Sequence, residues 1–266
     1  MNKYWHVIKI GFQNALVYRF NFFARAAFSL IPLLATIMVW RTIYGESGKM
    51  VSGYTLSGMI SYYLMITVVD AFTNVNEDDW QIAGDIKEGN ISQFLLKPID
   101  YLTYRFCLFV SGRMVFAVLS MIPVGLFIFF WRKHMVAPPD AATLAVFLVS
   151  VVMTALLQFL ISFTLALLAF WLLEVSTVIF IVFAFEYIAG GHLFPLNILP
   201  PWLLQILNFT PFPYQLFFPV SIYLGQTHGV DIWRGLAIQS LWVIFFYLLA
   251  RLVWKRGIRK YAAVGG

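Results

Sequence analysis

Long apolar runs separated by short polar connections fill most of the chain. A membrane-crossing helix needs roughly 20 mostly apolar residues. By that measure the pattern predicts six spans: 22–44, 54–75, 105–131, 141–173, a fifth that follows the connection Glu174-Val175-Ser176 and ends near Gly190-Gly191, and 232–254. Two segments depart from it. Residues 1–21 disperse Lys3, Lys9 and Arg19 among Trp5, Val7, Ile8, Ile10, Phe12, Leu16 and Val17. That spacing predicts an amphipathic helix lying on a membrane surface, with a frayed terminus as the alternative. Residues 192–231 are apolar but interrupted by Pro195, Pro200, Pro201, Pro211, Pro213 and Pro219. Proline removes a donor and clashes with the preceding turn, so this segment predicts two short re-entrant helices, buried against protein because lipid does not tolerate bare irregular backbone. A seventh span over 203–224 is the competing reading. The predicted fold is all-α, one polytopic membrane domain over residues 1–266 with six transmembrane helices.

Composition strengthens this assignment. Of 266 residues, 61% are hydrophobic and 11% charged, where a soluble domain has roughly 25% charged. The mean hydropathy is +0.83. A water-soluble fold must expose much of its surface, and so much apolar side chain suits a bilayer instead. The net charge of +6 raises nucleic-acid binding as an alternative, but the bases sit at the edges of apolar runs, where a membrane surface explains them. With six spans both termini share a side. That side carries Lys3, Lys9, Arg19, Arg25, Lys87, Lys97, Arg105, Lys255, Arg256, Arg259 and Lys260. The other carries Arg41, Lys49, Arg132, Lys133 and Arg234. The positive-inside rule then predicts cytoplasmic termini, a cytoplasmic 76–104 segment and an outward-facing 192–231 segment. The N-terminus mixes its basic and apolar residues, unlike a cleavable signal peptide.

Within 76–104, Asp79 to Ile86 reads as a charged helix punctuated by Gly84, Gly89-Asn90 as a turn, and Ile91 to Leu96 as a second short helix stopped by Pro98. Ile82, Ile86, Phe94 and Leu95 supply an apolar face, and Asp85, Lys87 and Glu88 supply charge. This is enough to dock on a cytoplasmic protein, although a loop resting on lipid headgroups has the same composition. Glu77, Asp78 and Asp79 suit the positive end of the helix dipole.

Charge inside a membrane is expensive and marks function by default. Asp70 lies ~9 Å and Arg113 ~12 Å from the same membrane face at about 1.5 Å per residue, and we expect them to pair, with separate snorkelling as the alternative. Glu186 sits in the outer half of the fifth span, four residues before Gly190, as a structural hydrogen-bonding group or a gate. Arg251, one turn from Lys255, is expected to snorkel. Cys107 lies in an apolar run and is expected to pack inertly.

The run Asp85-Ile86-Lys87-Glu88-Gly89-Asn90-Ile91-Ser92, followed by Leu95-Leu96-Lys97-Pro98, resembles the cytoplasmic signature of type-2 ATP-binding-cassette (ABC) transporter permeases, in the branch of about 260 residues. Gly190-Gly191 with Phe194-Pro195-Leu196, Leu199-Pro200 and Trp202, then Pro211-Phe212 with Tyr214 and Pro219, and finally Gly257 with Arg259-Lys260-Tyr261, continue the resemblance over essentially the whole chain. The resemblance implies an interfacial N-terminal helix, six spans, a coupling helix between spans two and three, and outer re-entrant helices between five and six. It implies docking of an ABC ATPase at Asp85, Lys87, Glu88 and Phe94, a second permease chain (identical or homologous), outward transport, and a bacterial inner membrane. A compound would meet an aromatic surface drawn from Phe22, Phe23, Tyr62, Tyr63 and Phe185. A lipid or polysaccharide pathway and a non-transporting scaffold are the alternatives.

No ATPase is expected in this chain. A phosphate-binding loop requires G-x-x-x-x-G-K-[ST], and the one Gly-Lys pair, Gly48-Lys49, is followed by Met50 and lacks the first glycine. ATP and Mg²⁺ would belong to the partner, and no cofactor to this chain. His6, His134, His192 and His228 are scattered, with no H-E-x-x-H or cysteine pair for a metal. Glu186 and His192 could form the acid–base pair of a membrane hydrolase, but a Gly-Gly break separates them and nothing in the spacing forces them together.

Overall fold

The computed structural model describes residues 2–45, 50–75 and 78–264. Gly48, Lys49 and Glu77, named above, lie outside the described residues. Helices carry the architecture: α1 (Asn2–Val17), α2 (Arg19–Tyr44), α3 (Leu56–Thr73), α4 (Asp78–Lys87), α5 (Ile91–Leu95), α6 (Tyr101–Trp131), α7 (Ala141–Ala166), α8 (Val175–Ala189), α9 (Pro201–Leu207), α10 (Phe217–Tyr223) and α11 (Val230–Val264). Short 3₁₀ turns follow α6 and α7 at Arg132–His134 and Leu167–Phe170, and two more, Leu196–Ile198 and Phe212–Tyr214, lie in the proline-rich stretch.

Among the described residues, five helices are long and apolar enough to cross a membrane: α2, α3, α6 with its 3₁₀ extension, α7 with its extension, and α11. The fifth predicted span is realised as α8, which has 15 residues. At about 1.5 Å per residue it is ~22 Å long, short of a hydrocarbon core of roughly 30 Å. The physical cause is the Gly190-Gly191 turn. Gly191 has φ +92, a left-handed conformation that glycine adopts without steric cost, and it sends the chain back toward α3. The 203–224 stretch is not one helix: it breaks between α9 and α10, where Pro211 and Pro213 shape a 3₁₀ turn.

Caps set several boundaries that apolar runs alone misplace. Thr55 accepts from the Gly58 N–H and opens α3. Asp100 accepts from the Thr103 N–H at 3.0 Å, so α6 begins four residues before the predicted span. Asp140 does the same for α7 through Thr143. Each side-chain oxygen satisfies an N–H that the helix start leaves without a partner.

At the centre stands α3, most of whose residues are buried, whereas α2 buries only Ala26, Leu33, Ile37 and Tyr44. It packs on α2, α6, α7 and α10, which accounts for its apolar residues on every side. Beside it, α7 also packs on α11, α4 and α8. Helix α1 lies along α6: Val7, Gly11 and Ala15 share one face, and Gly11 comes so near Ser111 that a Cβ would stand 2.7 Å from the serine Cβ. Ser111 Oγ donates to the Ile8 carbonyl at 3.1 Å. The opposite face of α1 exposes Trp5, Ile10, Leu16 and Val17.

Candidate functional site

Two assemblies of polar residues stand out, one at the α4–α5 end of the bundle and one inside it. The first is built on Asp85. Its carboxylate receives a hydrogen bond from the Tyr101 hydroxyl at 2.8 Å and pairs with the Arg105 guanidinium. Arg105 in turn donates to Tyr101 Oη at 2.9 Å and to Gln81 Oε1 at 3.3 Å. Arg105 is 5% exposed, so the pair is largely shielded and braces α4 against α6. Tyr101 stacks on Trp254 of α11 with centroids 4.8 Å apart. Phe94 lies edge-on to Tyr101 at 5.1 Å and tilts against Tyr104 at 4.9 Å. Tyr261, near the end of α11, donates to the Gly89 carbonyl at 3.0 Å and shares a 2.8 Å hydrogen bond with Ser92, holding the turn between α4 and α5.

Ile82, Ile86 and Ile91 are buried in one cluster with Phe159, Phe163, Leu167 and Phe170, so their apolar face serves the chain's own core. The outward face presents Trp80, Gln81, Lys87, Glu88, Leu95 and Leu96, with Leu96 89% exposed. Of the four residues singled out from sequence, Lys87 and Glu88 stand on that outward face, while Asp85 and Phe94 turn inward.

Arg251 does more than snorkel: it pairs with Asp100 and donates to Tyr247 Oη at 3.3 Å. Partial burial pushes the Asp100 carboxyl up, but the Thr103 hydroxyl and the Arg251 guanidinium outweigh it and hold the group below the usual carboxylate range. Asp100 therefore ties α11 to the start of α6, while its backbone N–H donates to Tyr4 Oη of α1 at 3.2 Å.

The second assembly joins α3 to the glycine turn after α8. Tyr62 Oη donates to the Gly191 carbonyl at 2.6 Å and Tyr63 Oη to the Leu193 carbonyl at 2.7 Å. His192 Nε2 lies 3.3 Å from Asp70 Oδ1, and His192 Nδ1 lies 3.9 Å from Glu186 Oε1. Asp70, Glu186 and His192 thus meet, although 122 residues separate Asp70 from His192. Arg113 packs over the Phe116 ring at 4.9 Å and lines, with Asp70, His192 and Arg25, a cavity of about 350 Å³. Tyr62 is fully buried, so of the aromatic residues expected to meet a compound it belongs to the core; Phe185 is 51% exposed. Sequence reasoning missed Gln239, which is fully buried and donates to the Ser150 and Tyr214 carbonyls at 3.1 and 2.9 Å, tying the proline-rich segment to α7 and α11. Cys107 is buried and free. Among the described residues no group of His, Cys, Asp and Glu is arranged to hold a metal ion.

This arrangement of long apolar helices, a braced helical pair at one end and a glycine-proline segment folded back on α3 coincides with a family match. A family model described as ABC-2 family transporter protein matches residues 30–265. The chain belongs to that family. As an ABC-2 transporter component it is a multi-pass membrane protein, and membership implies association with ABC ATPase subunits. ABC-2 permeases are typically without catalytic activity of their own. Comparison with curated proteins and with solved structures gave no match.

Proposed function

We propose that this chain is the membrane-spanning permease of an ABC exporter, moving a hydrophobic or amphipathic compound outward, with ATP and Mg²⁺ held by a separate ATPase that docks on α4–α5. The observation that carries this reading is the double character of that element. Its inner side is locked to α6 by Asp85–Arg105 and to α11 by Tyr261, and its outer side offers Lys87, Glu88, Trp80 and Leu96. A displacement imposed on the outer side is carried to α6 and α11, and to α7, on which α4 also packs, because packed elements shift as rigid bodies. In this reading α8 with the segment after it makes the fifth of six crossings, both termini are cytoplasmic in a bacterial inner membrane, and two permease chains enclose the pathway.

The test is purification of the tagged chain at native expression, with every co-purifying protein identified and ATP hydrolysis measured. Lys87→Glu with Glu88→Lys should release the ATPase while leaving the melting temperature of the permease unchanged. Stimulation of hydrolysis by a compound supports transport. Preparations free of any ATPase in several mild detergents would overturn the reading in favour of a scaffold.

A further inference from the structure

The exposed side of α11 changes character along its length. Leu241, Phe245, Leu248 and Leu252 follow one another at helical spacing and are all exposed. The same stripe continues into Lys255 and Arg259, also exposed. An apolar stripe that ends in cations marks the level where hydrocarbon gives way to headgroups. Arg251 stands on this side as well, one turn before Lys255. Its bonds to Asp100 and Tyr247 use Nη1 and Nε, and its side chain is 38% exposed.

Helix α1 brings another cation to the same place. Lys3 donates to the Pro98 carbonyl, two residues from the Asp100 that pairs with Arg251. The adjacent Tyr4 hydroxyl accepts from the Asp100 N–H. Lys3 is exposed, and one hydrogen bond leaves two of its three ammonium donors for another acceptor. Lys97, beside Pro98, is exposed too. The Asp100 carboxylate is already committed: Oδ2 accepts from the Thr103 N–H and hydroxyl, and Oδ1 from Arg251. Residues 2–17 of α1 hold no Asp or Glu, and α11 holds only Asp231, at its opposite end. Positive charge from α1, α11 and the chain entering α6 therefore converges in excess of carboxylates, next to an apolar stripe.

We propose that Lys3, Arg251 and Lys255 hold the phosphodiester of an anionic phospholipid from the leaflet on the α4–α5 side, with its acyl chains along the Leu241–Leu252 stripe. The headgroup supplies negative acceptor oxygens to ammonium and guanidinium donors, and the chains cover the apolar side chains below them. A free phosphate meets the first requirement and not the second. An acidic protein surface leaves the stripe uncovered. The site rests on the chain's place in a membrane and not on the docking of an ATPase at Lys87 and Glu88.

The full chain, with whatever subunits co-purify, is placed in nanodiscs of equal phosphatidylcholine and phosphatidylglycerol. It is then released in mild detergent, and the lipids still bound are identified by native mass spectrometry. Bound phosphatidylglycerol should exceed phosphatidylcholine roughly tenfold, and the excess should shrink as ionic strength rises. Lys3→Gln with Lys255→Gln should bring the ratio to about twofold or below. Arg256→Gln with Lys260→Gln, which removes the same charge from another side of α11, should leave it unchanged. Equal losses in the two double variants would reduce the effect to net charge and overturn the site. A bound ratio equal to that of the disc in the unaltered chain would overturn it without reference to any variant. Displacement of the lipid by millimolar inorganic phosphate would overturn it in favour of a free anion. Enrichment confined to preparations without an ATPase would assign the surface to that partner instead.

Discussion

The Tyr62 hydroxyl donates to the Gly191 carbonyl at 2.6 Å across 129 residues of sequence, pinning the turn after α8 to the middle of the bundle. Tyr62→Phe removes the donor and leaves a buried carbonyl without a partner, at a cost of about 1–3 kcal/mol. Tyr63→Phe removes two less enclosed bonds, its donation to the Leu193 carbonyl and its acceptance from Trp40 Nε1–H at 3.0 Å, and should cost less because both sites are only partly buried and water can replace the lost partners. Thermal unfolding of the purified protein in one detergent ranks the two variants, and a larger loss from Tyr63→Phe would contradict the assignment.

Gly191 should resist substitution for two reasons that act together. Its φ is +92, and a Cβ there would stand 2.6 Å from Tyr62 Oη. Gly229 has φ +52 but open space around its missing Cβ, so Gly229→Ala should cost about 1–2 kcal/mol and still give monodisperse protein. Gly191→Ala should sharply lower the yield of monodisperse protein on size-exclusion chromatography.

Arg105→Gln strips the charge from a pair whose Arg side chain is 6% exposed and whose Asp side chain is 20% exposed. Breaking a buried pair from one side costs 3–5 kcal/mol; the partial exposure of Asp85 reduces this to roughly 2–4 kcal/mol. Asp85→Asn combined with Arg105→Gln should recover part of the loss, since neither charge is then stranded. A double variant less stable than Arg105→Gln alone would show that the two side chains do not act as a pair.

Asp100 gives a pH dependence of defined sign. Its carboxyl is held below the ordinary range, so its contribution to stability is fully present above the unfolded value of about 3.9 and is lost as pH falls through the depressed folded value. The melting-temperature difference between the natural chain and Asp100→Asn should be constant from roughly pH 5 upward and shrink below roughly pH 4. A difference that instead grows on acidification would contradict the assignment.

Much of the α4–α5 element was legible because its signals are local. Gly89-Asn90 marks the turn, and the charges at Lys87 and Glu88 predict an outward face. The same local reading assigned Ile82 and Ile86 to a partner surface, and they pack instead into the chain's own core. Tyr101, Trp254 and Tyr261, which hold the element in place, carry no local mark of that role, since an aromatic residue at a helix end equally fits a membrane interface.

By itself the sequence determined the helical class, the membrane environment and the places where proline and glycine interrupt a span, because each follows from the length of an apolar run or from one residue's backbone chemistry. Only the tertiary structure decided which side of each helix faces protein. In lipid the outward and inward faces are equally apolar, so hydropathy does not separate them. For the same reason the meeting of His192 with Asp70 and Glu186 had no signature in the spacing: it depends on the fold-back at Gly191, which brings together residues that lie on opposite sides of a hundred residues of chain.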